Sequence, residues 1–325
     1  MKICVFGGGS IGGLLAVNLE KIGINVNVIA RGQHLEVIKK HGLTLIDPSG
    51  EVTTALVTCT DEPYSLGVQD YLFLTIKSPA LLPSLEDIKP LIGKNTTIIT
   101  CMNGIPHWYF HKLDNKYANY KIKCLDSDLL IDSILPPDNI VGSVVYPACE
   151  IVKPGTIKHI AGNRFSLGEP DGSESDRLKF ISEILKKAGF RAPIQKNIRD
   201  EIWLKLIGNL SFNPISALTG ATLEQICNDQ GTEAIVKKMM IEAKTIAEKL
   251  GAKINMSIEK RIDGARKVGA HKTSMLQDIE AGKPIEIDSI IVAVRELGEL
   301  TNSPTPNINT ILNLTIQKAK LIGCL

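Results

Sequence analysis

Residues 2–6 read KICVF, followed at once by GGGSIGG and then by LLAVNLEKIG. A short β-branched, apolar run predicts a strand, the glycines a tight turn, and the periodic apolar residues after them a helix. Gly7, Gly9 and Gly12 thus match G-x-G-x-x-G in the strand, turn and helix order that gives the spacing its meaning. Glycines there let a pyrophosphate approach the backbone, and the helix dipole favours its negative charge. The loop Gly7, Gly8, Gly9, Ser10, Ile11 and Gly12 is therefore expected to hold a dinucleotide in a Rossmann domain. The alternative is a glycine-rich turn that binds nothing.

The end of the second predicted strand, residues 25–30 (NVNVIA), bears on which dinucleotide. An NAD site usually ends that strand with a carboxylate for the ribose hydroxyls. Here Ala30, Arg31 and Gly32 follow, and a guanidinium suits the 2′-phosphate of NADP(H). The alternative is an ordinary solvated arginine. Residues 71–76 (YLFLTI) read as a fully buried parallel strand ending at Lys77, a second candidate for the phosphate. Residues 96–100 (TTIIT) form a further strand and run into Asn103-Gly104. Asn103 would stand at the ligand-bearing rim of the sheet, facing nicotinamide or substrate, although Asn-Gly is also a routine turn.

At 325 residues, the chain has room for two domains with their own cores. A formal charge of +2 gives no field that implies nucleic acid or a membrane surface. No apolar run is long enough to span a bilayer, and the start lacks the pattern of a signal peptide, so a cytoplasmic location is expected. The seven cysteines are scattered without a CxxC pair and read as reduced, mostly buried thiols. His107 and His111 have the i, i+4 spacing of a helical metal pair, but no glutamate motif or third ligand accompanies them, and no metal is expected.

The short extended runs in residues 139–167 look like the antiparallel close of the sheet, and Glu169-Pro170-Asp171-Gly172 like a linker. Helical periodicity then dominates, in residues 176–188, 200–219, 233–250, 285–300 and 310–322. The expected fold is α/β: a Rossmann domain over residues 1–168 that binds NADP, then an all-helical substrate and catalytic domain over residues 169–325. A cleft between two such domains is a usual place for a small substrate.

Within residues 200–219 (DEIWLKLIGNLSFNPISALT), Lys205, Asn209 and Asn213 recur every four positions. Steps of four drift by only about 40°, so a cation and two amides share one stripe in an otherwise apolar helix. Either the stripe is solvated, or it is drawn inward, where a lysine can give or take a proton near neutral pH. Pro214 is expected to end or kink the helix near Asn213. Farther on, Ser274 could bind an anionic oxygen or cap a helix with Gln277, and Glu286 could orient a hydroxyl, share a proton with a lysine, or be a surface charge in the first turn of the next helix.

These pieces together, GGGSIGG, Arg31, Lys77, MNG at Asn103, KLIGNLSFNP, SMLQD and PIEID, resemble the ketopantoate reductase (2-dehydropantoate 2-reductase) family over essentially the full length. The resemblance implies a Rossmann domain followed by a helical domain, as in 6-phosphogluconate dehydrogenase-like folds, and NADPH as hydride donor to the C2 carbonyl of a 2-keto acid. It implies Lys205 as general acid. Asn103, Asn209 and Asn213 would position keto acid and nicotinamide, Ser274 would hold the carboxylate, and Glu286 would meet the 4-hydroxyl of ketopantoate. The implied role is reduction of ketopantoate to pantoate on the path to pantothenate and coenzyme A.

One stretch departs from the family. After EID, where many members have Asn-Gly in an aromatic or leucine-containing turn, this chain has Ser289-Ile290-Ile291-Val292. The exchange removes hydrogen-bonding capacity and adds bulk near Glu286; it leaves the hydride chemistry in place and opens the alternative of another branched 2-keto acid. A separate alternative, of a different class, is a dinucleotide-binding sensor without turnover. Oligomeric state is not legible in the sequence; a homodimer is compatible with it.

Overall fold

The computed structural model describes residues 1–325, which divide into two compact units. The first comprises Met1–Met102, His111–Leu113 and Asp128–Ile198; the second comprises Asn103–Phe110, Asp114–Ser127 and Arg199–Leu325.

The first unit opens β1 (Ile3–Phe6), α1 (Ser10–Lys21), β2 (Val26–Ile29), α2 (Gly32–His41), β3 (Leu43–Ile46), β4 (Val52–Ala55) and β5 (Thr58–Thr60). It continues through β6 (Tyr71–Leu74), a short α3 (Leu85–Ile88), β7 (Thr97–Thr100), a short α4 (Leu130–Ile134) and β8 (Ile140–Val145). It closes with β9 (Ala148–Lys153), β10 (Thr156–Ala161), β11 (Phe165–Gly168) and α5 (Asp176–Lys187). Seven strands form one sheet in the order β11-β8-β7-β6-β1-β2-β5, parallel except for β11, which runs antiparallel to β8. The chain leaves β1 towards β2 on one side and returns to β6 on the other, so the switch point lies at the ends of β1 and β6. Ligands of open α/β sheets collect there.

The antiparallel close is only partly as the sequence suggests. β11 closes the large sheet, but TIKHI becomes β10 of a second, four-stranded sheet, β4-β3-β10-β9. That sheet gives α1 a second wall. Its residues from Gly12 to Val17 are all buried, and a Cβ on Gly13 would stand 2.6 Å from Ile157 Cγ1. A helix buried on opposite faces has no need of a polar side, which explains the uninterrupted GGLLAV.

The expected division after Gly168 falls inside the first unit. Glu169 is buried at 4% exposure and receives Arg177 of α5 through two bonds, Nε to Oε1 at 2.8 Å and Nη2 to Oε2 at 2.7 Å. Arg177 Nη1 also donates to the Asp138 carbonyl at 2.9 Å. A buried carboxylate must be paired, and this pairing ties α5 to the sheet rather than releasing it as part of a second domain.

The second unit is helical: α6 (Ile198–Thr219), α7 (Leu223–Asn228), α8 (Gln230–Lys249), α9 (Ile258–Val268), α10 (Ser274–Glu280), α11 (Ala293–Leu300) and α12 (Pro306–Leu321). Its start packs around Tyr109 and Trp203, both fully buried, with Trp203 Nε1 donating to the Tyr109 hydroxyl at 2.7 Å. Pro214 does not end α6, which continues to Thr219. The ring removes one backbone bond, but Leu210, Phe212, Ile215 and Ala217 are all buried, and that apolar surface holds the helix together across the gap. Residues 101–129 contain turns and no regular helix, so the spacing of His107 and His111 does not put them on one helix face. His111 bonds Asp138 instead. No helix is long and apolar enough to cross a membrane.

Candidate active site

In the first unit, the glycine loop is built largely by steric demand. Gly7 has φ +110°, and a Cβ there would meet Ile76 Cγ2 at 2.7 Å. A Cβ on Gly12 would lie 2.0 Å from the Gly7 carbonyl oxygen, and one on Gly8 2.8 Å from Val28 Cγ1. Gly9 differs: nothing stands within 4 Å of its Cβ position. Glycine is therefore not required at that position by packing within the protein, and the space is open to a ligand.

The loop's donors are sorted in the same way. The N–H groups of Gly7 and Gly8 both donate to the Ile29 carbonyl, at 3.1 and 2.7 Å, so neither is available to an anion. Gly9 caps α1 without a side-chain bond, and the first turn carries no acidic residue. The N–H groups of Ser10, Ile11 and Gly12 open the helix, where an anion is favoured. Thr75 Oγ1 donates to the Gly7 carbonyl at 2.7 Å and braces the turn from the end of β6, a contact without a sequence signal.

Arg31 stands at the N-cap of α2, with Nη2 2.6 Å from Oδ2 of Asp87 on α3. Both side chains are largely exposed, so the pair is weak and exchangeable. Lys77 is exposed and follows β6 by three residues, at the C-terminal rim of the sheet.

In the second unit, three of the expected residues form a continuous chain. Lys205 Nζ donates to Asn103 Oδ1 at 2.7 Å, and Asn103 Nδ2 donates to Glu286 Oε2 at 3.0 Å. The single amide thus links the cation to the carboxylate, its oxygen and nitrogen fixed by what each partner can accept or donate. Glu286 is only 5% exposed, so it is not a surface charge, and Lys205 is half-buried. Asn209 is half-buried on α6, and Asn213 is 5% exposed with its Nδ2 lacking a hydrogen-bond partner.

Asn103 is placed by its neighbours rather than by a regular element. Gly104 has φ +90° and its Cβ would lie 2.4 Å from the Ser289 carbonyl oxygen, while Ile105 N–H donates to that same oxygen at 2.8 Å. Ser289 belongs to a π-helical turn, Asp288–Val292, that begins two residues after Glu286. Such turns are rare and concentrate at functional sites. The departure from the family pattern therefore coincides with this turn, and its Ile290 and Ile291 are buried at 1% and 0% exposure.

Ser274 opens α10 and is exposed; Thr273, not Ser274, caps that helix by accepting the Leu276 N–H. Gln277 donates to the Lys272 carbonyl rather than completing a capping box with Ser274. Gly208, between Lys205 and Asn209, was not singled out by the sequence. A Cβ there would lie 2.1 Å from Arg261 Nη2, so the guanidinium rests on the helix backbone beside the polar stripe.

Two family models match the chain in succession. The family model described as ketopantoate reductase PanE/ApbA matches residues 3–172, and the one described as its C-terminal domain matches residues 197–319. A 2-dehydropantoate 2-reductase of Mesorhizobium japonicum is 47% identical over 325 residues, covering 100% of this chain and 99% of that protein. A solved Ralstonia solanacearum structure, described as a candidate ketopantoate reductase, is 38% identical with a TM-score of 0.94, covering 100% of this chain and 99% of the other. D-mandelate dehydrogenase, solved with NADH and anilino(oxo)acetate, is 22% identical with a TM-score of 0.85 over 100% of both chains, a likeness of fold alone.

Proposed function

Because the chain belongs to the ketopantoate reductase family, we propose that it reduces 2-dehydropantoate to pantoate with NADPH, on the cytoplasmic route to pantothenate and coenzyme A. The observation that carries this reading is the Lys205–Asn103–Glu286 chain. A sensor without turnover has no use for a proton donor braced in this way.

The first unit fits the dinucleotide on its own geometry. The open space at Gly9, the uncapped start of α1, and the cations at Arg31 and Lys77 suit a pyrophosphate and a 2′-phosphate. The first unit thus supplies Gly7, Gly8, Gly9, Ser10, Ile11, Gly12, Arg31 and Lys77 to the dinucleotide, while Asn103 belongs to the second unit. Bound NADPH supplies a hydride to C2 of the keto acid.

Lys205 supplies the proton. As C2 gains hydride, its oxygen becomes an alkoxide, and the Lys205 ammonium, oriented by Asn103 Oδ1, donates to it and leaves the alcohol. General acid catalysis of this kind contributes about 10²–10⁴-fold. Asn209 and the Asn213 amide offer further donors to oxygens of the substrate; the orphaned Asn213 Nδ2 carries a cost that a bound acceptor would remove. Ser274 takes the carboxylate and Glu286 the 4-hydroxyl.

The second reading, another branched 2-keto acid, is favoured by the π-helical turn beside Glu286, where this chain departs from its family. The test of both is NADPH oxidation, followed by absorbance, with ketopantoate and a panel of branched 2-keto acids. Saturable turnover with ketopantoate above the others supports the first reading; turnover only with another acid moves the substrate. Tight NADPH binding without turnover on any acid overturns the enzymatic reading.

A further inference from the structure

The Gly8–Gly9 peptide has a glycine on each side. Rotating it needs only ψ of the first residue and φ of the second, and glycine restricts neither. Two orientations compete. A trans peptide points its C=O and the following N–H in opposite directions, so one orientation offers the Gly9 N–H to a ligand in the open space beside Gly9, and the other presents the Gly8 carbonyl. An anion is attracted by the first and repelled by the second.

One side chain reaches that carbonyl. His34, in the first turn of α2, stands with Nε2 2.8 Å from the Gly8 oxygen. Its other nitrogen, Nδ1, accepts the Gly155 N–H at 3.0 Å, from the turn between β9 and β10. A backbone N–H can only donate, so Nδ1 must carry the lone pair and the single ring proton sits on Nε2. The hydrogen bond to Gly8 is therefore a donation by a ring whose tautomer is set from the second sheet. Gly155 has φ +72°, and its Cβ would meet Val37 Cγ1 at 2.5 Å, so its backbone is held close against α2.

We propose that His34 is a positioning residue for the dinucleotide. Gly155 selects the Nε2–H tautomer, His34 then holds the Gly8 carbonyl, and the Gly9 N–H is left turned toward the pyrophosphate. His34 touches neither cofactor nor substrate in this role and acts through one peptide plane. The inference rests on the proposed use of NADPH.

Two replacements separate the contacts. A glutamine amide nitrogen reaches as far as Nε2 and keeps a donor for Gly8; an asparagine amide reaches only as far as Nδ1 and keeps an acceptor for Gly155. NADPH dissociation constants, measured by titration of the wild type, His34→Gln and His34→Asn, are expected to stay within about twofold for glutamine and to weaken about tenfold for asparagine, a hydrogen bond's worth. Turnover at saturating NADPH is expected to be equal in all three. Nitrogen-15 spectra of the wild-type ring are expected to show the Nε2–H tautomer independently of any variant. Equal affinities in the two variants, or an Nδ1–H tautomer, overturn the assignment. A wild type that does not bind NADPH overturns instead the functional reading on which it rests.

Discussion

The Ser289 carbonyl oxygen lies where a side chain on Gly104 would have to be, 2.4 Å from its Cβ position. Asn103 owes its place between Lys205 and Glu286 to this contact, because the loop that carries it has no helix or strand to hold it. Gly104→Ala adds the clash to a backbone at φ +90° that L-residues rarely adopt. The variant is expected to lose more than about 1 kcal/mol of stability and to fall in kcat with little change in NADPH affinity. Thermal denaturation beside steady-state kinetics checks both; unchanged kcat would remove Gly104 as the support of Asn103.

Removing the proposed proton donor tests the chemistry directly. Lys205→Ala is expected to fold, since the side chain is half-buried on a helix whose apolar contacts remain, while kcat drops about 10²–10⁴-fold. Near-normal turnover in a folded variant would exclude Lys205 as general acid.

The pairing of Arg31 with Asp87 gives the cofactor preference a lever. Arg31→Ala with Lys77→Ala is expected to weaken NADPH much more than NADH. Asp87→Ala leaves the guanidinium in place and removes a carboxylate 2.6 Å from it, and should raise the preference for NADPH. Competitive binding of the two dinucleotides is the measurement, and equal losses in the double variant would show that neither cation reads the 2′-phosphate.

Gly208→Ala separates stability from activity. Alanine is better than glycine in a helix by about 1 kcal/mol, and the atoms in its way are the far end of the flexible Arg261 side chain. The melting temperature should therefore hold or rise. If the guanidinium matters to the polar stripe, kcat/KM should fall in the same protein; an unchanged value would assign Arg261 to packing.

Arg177→Ala would leave the buried Glu169 carboxylate with the Ser175 hydroxyl but without its cation. Loss of one member of a buried pair costs about 3–5 kcal/mol, and the 29% exposure of Arg177 places this case at the low end, because water can reach the vacated site. Urea denaturation is the check, with Glu169→Gln in the same background expected to recover part of the loss.

What the sequence determined was local. Strand, turn and helix around Gly7–Gly12 were legible because sterics and the helix dipole act over a few residues, and the stripe Lys205, Asn209, Asn213 because helical periodicity does. The family motifs added the remaining candidates. Tertiary structure decided how distant pieces combine. Lys205 and Glu286 meet through Asn103, residues separated by 102 and 183 positions, and no periodicity reports such a contact. Pro214 sits inside a helix because buried apolar surface outweighs one missing hydrogen bond. TIKHI joins a second sheet because its partner, β3, lies more than a hundred residues earlier. His34 escaped notice for the same reason: its role depends on a carbonyl and an N–H that folding brings to opposite sides of one ring.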